Sequence, residues 1–389
     1  MKREVQVLRA RPHANITPLL GSFRAGLETT ERPDSGAEGL YIFSPRAVMD
    51  MKTWMTDLPD AVKTWDEDDL RRHIYSDAML GLSSGVAWVH REMDGHVGYH
   101  HDIKPSNLLL FYEVGSRTVW KICDFGAANL KAADDTATMN LITDRYWAPP
   151  EYFTDKDATN GELHGRSHDV FSLGCVFLCL ATILRWGWTP EGLDKFKTQR
   201  MAFTGNIEDT DDTRDSHAFH NSMPAVHAWV QCLQESQYRD QDKQILALID
   251  EMLRPRENRI FSWEVDVDLF IILDKASHPE KVTERLRAAI QPSRGQRALT
   301  RHNPYTRAKK RNRSESFLEI LKEYHWHPYS PQSTTDGFQR ATPVHKPLSN
   351  LCTSKIGEDL YGGQSLYRQI SNSFSKSDIA VLYGVAGVG

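Results

Sequence analysis

Side chains suited to catalysis are concentrated in one stretch, His-His-Asp-Ile-Lys-Pro-Ser-Asn, at residues 100–107. Asp102 can accept a proton, the positive charge of Lys104 can hold a phosphate, and Asn107 offers an amide oxygen to a metal ion. Two histidines next to an aspartate are equally a set of metal ligands. Seventeen residues after Asn107 comes Asp-Phe-Gly at 124–126. The two stretches together are a stronger signal than either alone.

In this order and at this distance, the two stretches resemble the catalytic loop and the magnesium-binding motif of eukaryotic-type protein kinases, and they are similar to divergent fungal members. The resemblance implies that Asp102 accepts the proton of the substrate hydroxyl and that Lys104 reaches the γ-phosphate of ATP. It also implies that Asn107 and Asp124 hold Mg2+. These four are the candidate catalytic residues, and Lys104 favours Ser or Thr over Tyr as the acceptor.

Three later motifs resemble further signatures of the same family. Residues 143–151 resemble its Thr-x-x-Tyr-x-Ala-Pro-Glu closing motif, but one extra residue separates Thr143 from Glu151, which leaves two adjacent aromatic residues as alternatives for the Tyr. By the resemblance, Asp169 accepts backbone N–H groups of the catalytic loop, and Arg259 pairs with Glu151. The residues with an implied supporting role are His100, Phe125, Gly126, Glu151, Asp169 and Arg259.

One residue of the catalytic loop departs from the family. His101 stands where the family has an Arg, and that Arg normally binds a phosphate on the following loop. An imidazole that is neutral or only partly charged binds phosphate poorly. We therefore expect activity that does not depend strongly on a phosphate at Thr136, Thr138 or Thr143.

The first 48 residues resemble part of the small, β-rich lobe of the family. Glu4 lies nine residues before His13, as the Glu of the family's C-helix precedes a His-x-Asn-Ile turn, and it would pair with the ATP-positioning Lys; a solvated surface Glu is the alternative. Strands are predicted over 16–23 and 39–44, with Phe43 leading into the hinge that holds adenine. The implied cofactor-binding residues are Glu4, Phe43, Lys104, Asn107 and Asp124.

The phosphate-binding part of that lobe is not found in the sequence. No Gly-x-Gly-x-x-Gly occurs, and Lys2 is too close to Glu4 to lie on a separate strand. We therefore expect that the chain is truncated at its N-terminus. Because charge-assisted contacts to the phosphates would be lost, the 389-residue chain is expected to bind ATP weakly and to be a poor kinase by itself.

Residues 49–291 are predicted to form the large, mainly helical lobe. Apolar residues recur at three- and four-residue steps over 70–89, and 173–184 is apolar on nearly every side, which is typical of a buried helix. Further helices are predicted over 226–233, 245–253 and 265–286, whereas 186–215 is predicted to be an exposed loop. The fold class implied is α+β and protein-kinase-like.

Composition limits the alternatives. The chain has 389 residues, 40% hydrophobic and 25% charged, with a net charge of −5, which gives no general affinity for nucleic acid. Residues 292–389 carry 14 Lys and Arg against 7 Asp and Glu, so this basic, Ser- and Gly-rich tail is predicted to be disordered. Five cysteines without framework spacing favour a reducing compartment, either cytoplasm or nucleus. No signal peptide or membrane association is expected.

Three functions remain open on the sequence alone. The first is a Ser/Thr protein kinase that uses ATP and Mg2+ on a protein substrate. The second is a pseudokinase that binds partners through its large lobe, because the Gly-rich loop and the ATP-positioning Lys are absent. The third is a metal-dependent hydrolase built on His100, His101, Asp102 and Asp124, which leaves the later motifs unexplained.

Overall fold

The computed structural model describes residues 7–9, 12–26, 38–57, 64–91, 96–113, 117–132, 144–154, 164–204, 218–236, 239–273, 281, 285 and 379–382. Within these ranges the molecule is mainly helical with three small antiparallel sheets. The predicted α+β class is therefore confirmed. The predicted division at residues 48 and 291 stays a prediction.

The first sheet has the strand order β1-β2-β8 and consists of β1 (Gly21–Gly26), β2 (Glu38–Pro45) and β8 (Ile379–Leu382). The predicted strands in the first 48 residues are confirmed, although β1 begins later than expected. The strand β8 was not predicted, because the tail as a whole has a disordered composition. Its sequence Ile-Ala-Val-Leu favours a strand, and pairing with β2 covers an edge that would otherwise be open.

The second sheet carries the start of the large lobe and has the order β3-β5-β6. Its strands are β3 (Met49–Asp50), β5 (Leu108–Glu113) and β6 (Arg117–Ile122). The helix α1 (Met51–Thr56) follows at once, and Asp50 caps it by accepting from the Thr53 amide at 2.7 Å. A third, two-stranded sheet pairs β4 (His96–Tyr99) with β7 (Asn129–Ala132).

Residues 13–17 connect the first sheet to the large lobe. The Asn15 side chain donates to the Trp120 carbonyl at 2.9 Å, and the Ile122 and Thr17 amides complete a short bridge along β6. A Cβ on Gly85 would lie 3.1 Å from the Asn15 carbonyl oxygen. Glycine at this position therefore lets the helix that carries it come close to the segment.

That helix, α2, spans 67–90 and was predicted from its apolar periodicity. It consists of three consecutive parts, Glu67–Arg72, His73–Leu80 and Gly81–His90, of which the middle part has π-type hydrogen bonds. Asp66 caps it by accepting from the Asp69 amide at 2.8 Å. Its inner face contributes Ile74, Leu82 and Val86 to the core.

Besides α4 (His164–Trp186), which lies in the core, the described residues form five further helices after α2. They are α3 (Glu151–Thr154), α5 (Lys195–Thr204), α6 (Met223–Ser236), α7 (Asp240–Met252) and α8 (Ser262–Leu273). Among the described helices, α4 is the one whose length and composition, over Arg166–Trp186, would allow a membrane span, but 89% of the apolar window is buried inside the fold. The helix is therefore placed as the core of the large lobe.

The loop predicted over 186–215 is wrong for part of that range. Residues Lys195–Thr204 form α5, preceded by a π-type turn at Pro190–Asp194. Over residues 195–202, where side chains are described, the buried ones are Phe196 and Arg200. Because one of these two is a cation, the helix shows little apolar periodicity.

Candidate active site

Asp169 fixes the backbone of the predicted catalytic loop. It lies in the first turns of α4, is fully buried, and accepts the His100 amide on Oδ2 and the His101 amide on Oδ1, both at 2.7 Å. The contact implied by the sequence is therefore present. Two charge-assisted bonds from adjacent amides hold both carboxylate oxygens and so fix the direction in which the loop leaves β4.

His90 is a further partner of this carboxylate. From the end of α2, its Nε2 lies 2.8 Å from Asp169 Oδ2, and its Nδ1 lies 2.8 Å from the Ser262 hydroxyl on α8. Burial alone would raise the pKa of Asp169, but the hydrogen bond and charge of His90, with His101 and His100 nearby, lower the pKa below its usual value. Three helices therefore meet at one ionised carboxylate.

Asp102 lies where Lys104 and Asn107 converge. Its Oδ2 contacts the Lys104 ammonium at 2.9 Å and accepts from the Asn107 amide nitrogen at 2.9 Å. The same side-chain amide nitrogen of Asn107 also donates to the backbone carbonyl of Asp102 at 2.8 Å. The Asp102 side chain retains 14% exposure, so a substrate hydroxyl can approach the carboxylate.

His100 has a structural role in the loop. Its Nδ1 accepts from the Asp102 amide at 3.2 Å, its Nε2 lies 2.9 Å from the Cys123 carbonyl, and its ring packs edge-on against Phe125 at 4.6 Å. Both ring nitrogens are therefore used within the protein. This arrangement is unfavourable for the hydrolase alternative, in which His100 would be a metal ligand.

Asp124 follows β6 and stands beside the loop. The Cys123 amide donates to the Asn107 carbonyl at 2.9 Å, which places the two segments next to each other. Asp124 has φ of 59° and its Oδ1 accepts from the Gly126 amide at 3.2 Å. A non-glycine residue in the left-handed region is uncommon, and such residues are often found at functional sites.

The donor set at this point suits Mg2+. Asn107 uses its amide nitrogen towards Asp102, which leaves its amide oxygen as a possible ligand, and the exposed carboxylate of Asp124 supplies oxygen from the adjacent segment. Magnesium prefers oxygen ligands, commonly one or two side chains together with substrate phosphates. The residues present therefore fit the ion. Among the described residues no cluster of three or more His, Cys, Asp or Glu could hold a metal.

Asp144 is a site residue that the sequence analysis missed. Its amide lies 3.4 Å from Asp102 Oδ1, and its carboxylate lies 3.9 Å from the Lys104 ammonium. Counted back from Glu151, Asp144 falls at the spacing of the Thr in the closing motif and Trp147 at that of the Tyr. The extra residue therefore disappears if Asp144 rather than Thr143 is the motif's first position; Thr143 itself lies outside the described residues.

Arg259 anchors Glu151, the last residue of the closing motif. The guanidinium forms two hydrogen bonds with the Glu151 carboxylate and also donates to the carbonyl and hydroxyl of Ser167 on α4. Arg259 is 3% exposed. The predicted pairing with Glu151 is therefore present and ties the end of the closing motif to the start of α4.

A family model of the protein kinase domain matches residues 1–265, more than half of the chain. The chain belongs to the protein kinase family.

Individual kinases match shorter stretches. The chain is 28% identical over 183 residues to protein kinase gsk31 of Schizosaccharomyces pombe, 31% over 188 residues to mitogen-activated protein kinase sma-5 of Caenorhabditis elegans, and 41% over 81 residues to serine/threonine-protein kinase NLK2 of Xenopus laevis. These matches cover 45%, 45% and 20% of this chain. They span 40%, 31% and 16% of the relatives, which is less than half the length of each.

Glu4 and Phe43 are the other two predicted ATP-binding residues of this kinase. Glu4 lies outside the described residues. Phe43 lies on β2, where its carbonyl accepts from the Leu20 amide at 2.9 Å, two residues before the strand ends at Pro45. It therefore lies on the strand that leads into the connection with the large lobe, and its role towards adenine stays a prediction.

His101 is enclosed rather than presented to the solvent. It is 1% exposed, has φ of 68°, and its ring lies between Tyr99 at 4.4 Å and His168 at 5.0 Å. An imidazole with this exposure is closed to the solvent. The structure is thus compatible with the expectation that the kinase does not use His101 to bind a loop phosphate.

Proposed function

We propose that this kinase transfers the γ-phosphoryl group of ATP to Ser or Thr hydroxyls of a protein substrate, with Asp102 as the base. The observation that supports this best is the convergence of Lys104 and Asn107 on one oxygen of Asp102. With Oδ2 occupied, Oδ1 meets only the long contact from Asp144 among the described groups and is the oxygen that a hydroxyl proton can reach. Family membership supports the use of ATP and Mg2+ in general.

In the proposed reaction the acceptor hydroxyl loses its proton to Asp102 as its oxygen bonds to the γ-phosphorus, and the bond to ADP breaks. Lys104 lies beside the base, and its charge would offset the negative charge of the transferred phosphoryl group. Asn107 and Asp124 would hold Mg2+, which neutralises charge on the phosphates when bound. Asp169 keeps the loop in place throughout, since it holds the amides that precede Asp102.

The test is Mg2+-dependent transfer of labelled γ-phosphate from saturating ATP to a generic basic protein, followed by phosphoamino-acid analysis. We expect label on Ser and Thr, and loss of the Mg2+-dependent signal in Asp124→Asn. Asp194→Asn is the matched control, because Asp194 is an exposed carboxylate before α5. Equal transfer by wild type and Asp124→Asn, or label only on Tyr, would contradict the proposal.

A pseudokinase that acts as a binding module is the second candidate, favoured by the lack of a Gly-x-Gly-x-x-Gly sequence. The two candidates differ in the same assay. A correctly folded wild-type chain whose transfer equals that of Asp124→Asn at every ATP concentration would favour the pseudokinase.

A further inference from the structure

Arg200 is a buried cation that the reaction described above does not use. It projects from α5, is 3% exposed, and lies one helical turn after Phe196. Its guanidinium carbon is 4.0 Å from the ring centroid of Phe219, 4.8 Å from Phe196 and 5.2 Å from Tyr146. A buried charge is costly unless its surroundings compensate for it, and the faces of aromatic rings do so in part.

One directional contact of this guanidinium is to Tyr146. Arg200 Nη2 donates to the Tyr146 phenol oxygen at 2.5 Å. The Tyr146 ring also packs edge-on against Phe219 at 5.5 Å, and Trp147 lies tilted on Phe219 at 5.2 Å. Burial raises the pKa of Tyr146 while Arg200 opposes the shift, so the phenol stays protonated at neutral pH. Tyr146 and Trp147 are therefore held by contacts with α5 and with the turn Phe219–Ser222.

Tyr146 is linked in turn to the base. Asp144 caps the short turn Arg145–Trp147 by accepting from the Tyr146 amide at 3.1 Å. The amide of the same Asp144 lies 3.4 Å from Asp102 Oδ1. At the end of the turn, the Ser172 hydroxyl on α4 donates to the Trp147 carbonyl at 2.9 Å. The turn is thus fixed by α4 and by Arg200, and its cap, Asp144, borders the Asp102 oxygen that would receive the substrate proton.

We propose that Arg200 is a positioning residue for the protein substrate, acting through Tyr146 on the segment 144–147. This rests on the proposed function, because it assigns the acceptor side of the same site. The segment is open to a polypeptide, since the Asp144 side chain is 39% exposed and Arg145 is exposed. Of the groups that would hold ATP and Mg2+, Lys104 meets this segment at the 3.9 Å contact with the Asp144 carboxylate, and the Asn107 side chain contacts Asp102. Neither contact involves Arg200.

The kinetic test is a double-mutant cycle of Arg200→Lys and Tyr146→Phe. Tyr146→Phe removes one oxygen, and Arg200→Lys keeps the charge but loses the planar donor. Each is expected to raise KM for the protein substrate about tenfold, the effect of losing one hydrogen bond to a charged group. KM for ATP should stay within about twofold. Because both substitutions remove the same interaction, KM for the protein substrate in the double variant should not exceed the higher of the two single-variant values. Tyr112→Phe and Arg72→Lys, both exposed, are the matched controls.

A second readout does not require activity. Amide hydrogen exchange over residues 144–154 should be faster in both variants than in wild type, with exchange in α2 unchanged. Additive kinetic effects, an equal rise in KM for ATP, or unchanged exchange over 144–154 would overturn the proposal. If wild type transfers no phosphate, the proposed function fails, whereas the exchange comparison still decides whether Arg200 holds the segment.

Discussion

Asp102 is recognisable from sequence because its neighbours lie in the same loop at fixed spacing. Lys104 and Asn107 reach it from two and five residues away, so their order along the chain already predicts the contact that the structure shows. Asp144 and His90 could not be found in this way. They reach Asp102 and Asp169 only after the chain has folded, over separations of 42 and 79 residues. An apparent extra residue in the closing motif was the one signal that pointed to Asp144.

The histidine at position 13 shows how one residue can make stability depend on pH. Its Nδ1 accepts from the Asn15 amide at 3.1 Å, which requires the unprotonated nitrogen. Burial, and then the charges of Arg285 and Lys121, lower its pKa from 6.5 to about 4. Since the unfolded chain binds this proton more readily, its contribution to stability is present above pH 6.5 and is lost as pH falls towards 4.

We therefore expect the free energy of unfolding of wild type to fall more steeply between pH 6.5 and pH 4 than that of His13→Gln. Urea denaturation at a series of pH values measures the free energy of unfolding of both proteins. The contribution of the carboxylates is common to both and cancels when the two slopes are subtracted. His96→Gln, at an exposed histidine on β4, should keep the wild-type slope. The same slope in His13→Gln as in wild type would show that His13 is not the group responsible.

Among the elements, α4 links the core to the site. Asp169 and Ser172 in its first half hold the catalytic loop and Trp147, and residues 168–183 of the helix are buried. The helix α4 was predicted from its uniform apolarity, and α2, α6 and α7 were predicted from the periodicity of their apolar residues. The helix α5 was missed because its inner face pairs an aromatic residue with Arg200, and β8 was missed because four apolar residues lie in a polar tail.

Close packing of α4 on the end of α7 depends on Gly174. A Cβ at this position would lie 2.9 Å from Met252 Cβ and 3.2 Å from Leu253 Cδ2. Gly174→Ala is expected to destabilise the kinase by about 1–3 kcal/mol, the usual cost of overpacking a core, which outweighs a gain in helix propensity of at most ~1 kcal/mol.

Urea denaturation measures this cost. Gly21→Ala is the control, because its Cβ would meet only the Phe43 side chain at 4.0 Å, and it should unfold close to wild type. Wild-type stability in Gly174→Ala would mean that the two helices separate without cost at this point.

At the scale of the whole molecule, the family model spans residues 1–265 and ends within α8. Motif order predicted the family and the mainly helical large lobe, because the loops that carry chemistry have fixed spacings. In the sheet β1-β2-β8 the first two strands were predicted, but their pairing with β8 was not, since β8 comes from the opposite end of the chain. Glu4 and the segment between residues 132 and 144 lie outside the described residues, and their roles stay predictions.

The central claim is that Asp102 is the base of a phosphoryl transfer, and one variant tests it. Asp102→Asn keeps the size of the side chain but cannot accept the hydroxyl proton. The measurement compares Mg-ATP binding and the rate of phosphate transfer to protein in wild type and in this variant. We predict ATP affinity within about threefold and a transfer rate lower by at least ~10²-fold, the usual effect of losing a positioned base. Transfer at near-wild-type rate by correctly folded Asp102→Asn would contradict the account.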